Sequence, residues 1–281
     1  LLVCCTKDAI GETIMKPSVT LEERYDSNPY SRGAGQEKEG DSITSVMPQF
    51  EIVDEQKKIR FNALYRLNSW YYLKNTNLNY AIHNATLGMN MNISHNLSLR
   101  INDSISYAED TLVPSDTGIQ IGQTGVISNN FSTIVNQRIS PNSTANITLI
   151  NSIYEYKNPA FTDSRTDSAA LSWAYGWAAD TSLTTTYSFS KYYFDTNGGD
   201  NIKSHTLSLG IAERLYPTLS FNLSGGILYW PDLDDRFNWT AGANITKSFD
   251  RSSLNISYTR ATTQASGLAN AIMMRNSVLM S

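Results

Sequence analysis

Between Leu97 and Tyr107 the chain reads L-S-L-R-I-N-D-S-I-S-Y. Leu97, Leu99, Ile101, Ile105 and Tyr107 share one parity; Ser98, Arg100, Asn102, Ser104 and Ser106 share the other. Successive side chains of a strand point to opposite faces, so the segment codes for a sheet with one apolar and one polar side. The same period returns in segment after segment almost to the end of the chain. Few folds place a dozen such strands in one row, and a β-barrel in an outer membrane is the foremost of them.

The alternation is clearest over Lys57–Tyr71, Tyr80–Ile93, Ala145–Tyr156, Ala169–Trp177, Ser182–Phe194, Ser204–Ala212, Leu219–Trp230, Phe237–Ile245 and Leu254–Thr259. Weaker strands are predicted at Lys16–Arg24, Ser42–Ile52, Val126–Arg138 and Ile272–Ser281, which makes about fourteen and no helix. The fold class is therefore all-β, a transmembrane antiparallel up-and-down barrel. Runs of about 10–14 residues suit a tilted membrane strand, whereas strands of soluble sheets peak at about 5–6. A soluble β-sandwich or β-helix is the competing architecture.

Connectors alternate in length. Short turns fall at Asp54–Gln56, Ser94–Asn96, Pro141–Ser143, Ala179–Thr181, Tyr216–Thr218 and Asp250–Ser252. Longer polar connectors fall at Asp26–Gly40, Leu73–Leu78, Glu109–Gly125, Lys157–Thr166, Asp195–Asn201, Asp232–Arg236 and Ala261–Asn270. Outer-membrane barrels have short periplasmic turns and longer extracellular loops. That rule puts the N-terminus and short turns in the periplasm and the long loops outside. The hairpins recur about every 35–45 residues, as a repeat of architecture rather than of sequence. Trp70, Tyr71, Tyr72, Tyr107, Tyr154, Tyr156, Tyr192, Tyr193, Tyr229, Trp230, Phe237 and Trp239 lie beside the long loops, where an aromatic girdle is expected.

Composition narrows the function. Of 281 residues 17% are charged, the net charge is −4, and no basic patch stands out, so nucleic acid is not expected as a partner. No apolar run approaches the ~20 residues of a membrane helix. Cys4 and Cys5 are adjacent and everything after them is cysteine-free, which leaves no disulfide framework. Residues 1–12 read as an export-signal remnant or an N-terminal periplasmic segment, with lipidation of either cysteine left open, and residues 13–281 as the barrel.

Two segments, K-P-S-V-T-L-E-E-R-Y-D-S-N-P-Y (Lys16–Tyr30) and D-S-I-T-S-V-M-P-Q-F-E-I (Asp41–Ile52), resemble the opening strands of the beta-barrel porin 2 family. Relatives of that family include outer-membrane proteins of exosortase (PEP-CTERM) and exopolysaccharide loci. Tyr258-Thr259-Arg260 followed by Gly267-Leu268 is similar to a later hairpin of the family. The resemblance implies a porin-like channel serving exopolysaccharide export or passive diffusion. It also implies outer-membrane lipid and the barrel-assembly machinery as partners, with polysaccharide or small hydrophilic solutes as cargo. Barrels of this kind end on an aromatic residue. This chain ends on Val278-Leu279-Met280-Ser281, so a fragment of a barrel with 16 or more strands is expected.

The chemistry-bearing residues point to no reaction. His83, His95 and His205 sit in strands or a tight turn with no nucleophile spaced to use them, so the chain is expected not to be an enzyme. Asp232-Leu233-Asp234-Asp235 and Asp195–Asp200 lack the spacing of a calcium loop, and Gly198-Gly199 precedes no helix, so neither metal nor cofactor is expected. Asn-X-Ser/Thr at Asn84, Asn92, Asn96, Asn146, Asn222, Asn238, Asn244 and Asn255 follows from period two rather than from glycosylation. The candidate site is then the polar face itself, with Arg60, Arg66, Arg100, Arg138, Asn62, Asn90 and Asn102 lining the lumen. Arginine rings favour anions; arginines paired with Glu51 or Asp163 would instead brace or plug the interior. The competing functional reading is a plugged barrel or a soluble surface protein acting through its loops. Asp103 and Lys191 break the apolar parity, which predicts a bulge or register change near Asp103 and an interfacial position for Lys191.

Overall fold

Every one of the predicted segments forms a strand, because period two sorts apolar and polar side chains to opposite faces. A computed structural model describes residues 12–29, 39–111, 124–159, 161–195, 201–264 and 272–281. Its strands are β1 (Glu12–Asp26), β2 (Asp41–Glu55), β3 (Ile59–Tyr72), β4 (Tyr80–Asn92), β5 (Leu97–Thr111), β6 (Thr124–Ser140) and β7 (Ser143–Tyr156). They continue as β8 (Ser164–Gly176), β9 (Thr181–Phe194), β10 (Asn201–Tyr216), β11 (Leu219–Tyr229), β12 (Phe237–Ser248), β13 (Ser253–Gln264) and β14 (Ile272–Met280). One 3-10 turn, Thr76–Leu78, is the only helical piece among the described residues. Cys4, Cys5, Gly198-Gly199 and Gly267-Leu268 lie outside the described residues.

The strands form one sheet in chain order, each antiparallel to the next, and no ladder joins β1 to β14 among the described residues. Connectors alternate as expected, so all short turns gather at one end of the wall and all long connectors at the other. Strands outrun several predicted limits. β10 starts at Asn201 rather than Ser204, and β13 runs to Gln264, through residues expected to be loop. A buried carboxylate ties one long connector down. Asp41 accepts hydrogen bonds from the Lys74 N–H (3.0 Å), the Asn75 N–H (2.8 Å) and Asn75 Nδ2 (2.9 Å), clamping the β3–β4 connector to β2.

Cross-strand partners share a face, so register carries parity around the whole wall. On the polar parity Ile43 and Leu228 are buried, at 0% and 1% exposure; on the apolar parity Leu209, Ile227 and Leu171 are 64%, 63% and 55% exposed. The polar face is therefore concave and the apolar face convex. Exposed apolar residues from Met15 on β1 to Val278 on β14 make an outer belt that water would not tolerate at this extent and lipid would.

Two expectations fail here. β5 keeps an unbroken register past Asp103, which pairs with Leu87 and Phe131, so there is no bulge. Its carboxylate is accommodated by a hydrogen bond from Asn129 Nδ2 at 2.7 Å instead. The aromatic girdle is also split. Register turns Tyr71, Tyr107, Tyr193, Tyr229, Phe237 and Trp239 outward, but Trp70, Tyr72, Tyr154, Tyr156 and Tyr192 inward, because neighbours along a strand point to opposite faces. A second outward group, Trp173, Tyr175 and Trp177, stands at the short-turn end, with Trp173 Nε1 donating to Ser143 Oγ at 2.7 Å.

Candidate functional site

The concave face is the candidate site, and it is not uniform. Near the short turns of β3–β5, Arg60, Asn90 and Arg100 are consecutive cross-strand partners, and Asn62, Gly88 and Asn102 form the next row. Five of the seven predicted lumen residues thus stand together. Gln56, Lys57, Lys58 and Asn92 join the first row around a recess of about 390 Å³. The Asn62 amide leans over Gly88, and a Cβ at this position would push it aside. Arg66 lies nearer the long connectors, and Arg138 sits apart beside the β6–β7 turn, its Nη2 3.4 Å from the Pro141 carbonyl.

Their partners decide what these arginines can do. Arg60 is in an ion pair with Glu55, its Nε 2.9 Å from Oε1. Arg66 donates Nε and Nη2 to Gln49 Oε1 at 2.9 and 2.7 Å, and Arg100 donates Nε to Asn90 Oδ1 at 2.8 Å. Amides orient both without cancelling their charge. Glu51 pairs with Lys16 (3.7 Å), and Asp163 accepts from the Tyr156 N–H (2.7 Å), so neither braces the arginines in the way that would plug the wall.

The other half of the face carries hydroxyls and amides. On β9–β13, Thr184, Thr186, Ser208, Asn222, Ser224 and Asn244 line a recess of about 350 Å³ floored by Gly210 and Gly242. Hydroxyls link across the strands here, Ser168 to Ser190 at 2.8 Å and Ser172 to Thr186 at 2.9 Å. At the long-connector end this polar wall gives way to an apolar cluster of Tyr192, Phe194, Ile202, Leu228 and Trp230, against which Leu233, Ile272 and Met274 pack. Sequence inspection missed this cluster because its members sit on the polar parity of their strands.

A second omission is an internal repeat. Tyr65, His83 and Tyr107 on β3, β4 and β5 are matched by Tyr187, His205 and Tyr229 on β9, β10 and β11, each 122 residues further on. Tyr65 Oη lies 2.8 Å from His83 Nδ1, and Tyr187 Oη lies 2.8 Å from His205 Nδ1. Leu87-Gly88 and Leu209-Gly210, Leu97-Ser98 and Leu219-Ser220, and Ile105 and Ile227 keep the same offset. The repeat is thus one of sequence as well as architecture, and comparing the chain with itself would have found it.

No protein-family model matches the chain, and no curated protein matches it in sequence. Solved structures do match. The ferric enterobactin receptor PfeA from Pseudomonas aeruginosa covers 93% of this chain and 46% of its own, with a TM-score of 0.60 at 10% identity. The siderophore receptor PirA from the same organism covers 92% and 46%, with a TM-score of 0.57 at 10% identity. The chain spans about half the length of these receptors. The fold is that of an outer-membrane β-barrel. OmpT, an outer membrane protein of Vibrio cholerae, is also similar: its in-vitro folded form covers 85% of this chain and 98% of its own, with a TM-score of 0.45 at 11% identity. The expectation that the chain is not an enzyme does not stand. That exclusion rested on spacing along the sequence, and a barrel gathers residues from strands remote in sequence. The neighbours assign no activity either.

Proposed function

We propose that this barrel is a channel for hydrophilic solutes. The observation that carries the reading is the concave face: Asn, Ser and Thr line much of it, and two of its guanidiniums, Arg66 and Arg100, have no carboxylate within ion-pair distance among the described residues. Amide and hydroxyl walls suit hydrated or polyhydroxylated solutes, and uncancelled arginines favour anions. By its likeness to the beta-barrel porin 2 family, the cargo is either small solutes in passive diffusion or an exopolysaccharide in export. In this reading the partners are outer-membrane lipid and the barrel-assembly machinery. The long connectors face the exterior and the short turns the periplasm.

A closed reading has one observation behind it. The apolar cluster from Tyr192 to Trp230 lies on the lumen side at the long-connector end, where a hydrophobic constriction gates by dewetting. Single-channel recording in planar bilayers separates the two. Steady ohmic conductance from folded protein supports the open pore; silence from protein shown to be folded by heat-modifiable mobility rules it out.

A further inference from the structure

On the convex face, Lys191 of β9 and Lys203 of β10 are direct cross-strand partners. Like charges placed opposite each other in a sheet are destabilising. Among the described residues no carboxylate lies within ion-pair distance of either ammonium. Asp167, the partner of Lys191 on β8, is engaged by Arg165 at 2.9 Å, and Asp232 accepts the Lys203 backbone N–H at 2.8 Å. Lys191 Nζ lies 4.4 Å from the centre of the Tyr193 ring, and the Arg165 guanidinium lies 5.6 Å from the same ring. Two cations, Lys191 and Arg165, therefore stand over one outward tyrosine at the long-connector end of the belt, and Lys203 faces Lys191 across the ladder.

The repeat supplies an internal control. At the offset of 122 residues, Lys191 and Lys203 correspond to Ser69 and Ala81, which are also direct partners, in β3 and β4. The scaffold closes the same ladder with two small uncharged residues. The lysine pair is not required by the fold.

We propose that Lys191 and Lys203, with Arg165, hold the phosphate of an anionic lipid headgroup in the leaflet beside the long connectors. Lipid is the partner because the same face, continuing toward the short turns, is the exposed apolar belt, with Tyr187, Leu207 and Leu209. A phosphate seated between the two ammoniums relieves their repulsion and accepts charge-assisted hydrogen bonds, while the belt takes the acyl chains. The site opens on the outer wall and stands whether or not the lumen conducts.

The test uses the folded protein in nanodiscs of phosphatidylcholine with a minor share of phosphatidylglycerol, and native mass spectrometry to count the lipid retained. Wild type should retain phosphatidylglycerol over phosphatidylcholine. The Lys191→Ser/Lys203→Ala variant, which copies the first repeat, should lose roughly tenfold of that preference while folding normally. Adding Ser69→Lys/Ala81→Lys to that variant should restore it at the matching position on β3–β4. Equal preference in wild type and the Ser/Ala variant would overturn the proposal. So would displacement of the retained lipid by millimolar inorganic phosphate, which would make the pair a general anion site.

Discussion

Asn129 Nδ2 donates a 2.7 Å hydrogen bond to Asp103 Oδ1 on the convex face of the wall, between strands β6 and β5. Leu87 and Phe131 are the direct partners of Asp103 on either side. The amide is what makes the carboxylate tolerable there. Asn129→Leu alone should destabilise the barrel by about 1–3 kcal/mol, because it strips the acceptor of its donor. Asp103→Leu with Asn129→Leu should recover all of that and exceed wild type, since a charge facing lipid is removed. Urea unfolding in lipid, followed by tryptophan fluorescence, measures both; a double variant as weak as the single one would refute lipid exposure at Asp103.

Charge reversal at Arg66 and Arg100 should move ion selectivity. Each arginine is held by an amide rather than by a carboxylate, so its charge acts on passing ions. Replacing either with Glu changes the energy of a passing ion by about 1 kcal/mol at ~8 Å in water, with opposite sign for anion and cation, so the anion-to-cation permeability ratio should fall about thirtyfold at low salt. Reversal potentials under a salt gradient read this directly. Arg60→Gln should do less, because it changes the charge by one unit rather than two, uncovering Glu55.

Two adjacent glycines should respond in opposite ways to a methyl group. A Cβ at Gly226 would lie 2.7 Å from the Leu207 carbonyl oxygen and 2.8 Å from Ser208 Cβ, whereas one at Gly225 would meet nothing within 4 Å. Gly226→Ala should cost about 1–3 kcal/mol by overpacking. Gly225→Ala should be neutral or stabilising by up to ~1 kcal/mol, through lost freedom of the unfolded chain. Paired urea titrations of the two variants check the sign.

Trp230 is buried in the apolar cluster, and its indole Nε1 has no hydrogen-bond partner among the described residues. Trp230→Phe removes that orphaned donor and should leave stability unchanged or raise it by about 1 kcal/mol. Trp230→Ala should loosen the cluster and, if the cluster narrows the mouth, increase single-channel conductance. Equal conductance in wild type and Trp230→Ala would remove the cluster from the conduction path.

Asp41→Ala should release the β3–β4 connector. The substitution removes the carboxylate that receives Lys74 and Asn75 and leaves their N–H groups without it. The expected loss is at least ~2 kcal/mol, together with faster proteolysis between residues 73 and 79.

Period two made all fourteen strands and both faces legible before any coordinates, because each strand separates a lipid side from a polar side along its whole length. What period two could not give was register. Arg60, Asn90 and Arg100 are visible as polar-parity residues in the sequence, but only the β3–β4 and β4–β5 ladders put them in one row. Lys191 stood out on the wrong parity, whereas Lys203 lay just before the predicted start of its strand, so the pair was invisible. The aromatic doublets failed for a local reason: Tyr192-Tyr193 puts one ring on each face, and counting rings beside a loop ignores that alternation.

The offset of 122 residues bears on the girth of the barrel. It spans six strands, from β3 to β9, and an even block begins and ends on the same side of the membrane. Gaining or losing one such block would widen or narrow the cylinder without reversing any loop. Copy number would set the diameter, while each copy, as at Ser69/Ala81 and Lys191/Lys203, stays free to acquire a chemistry of its own.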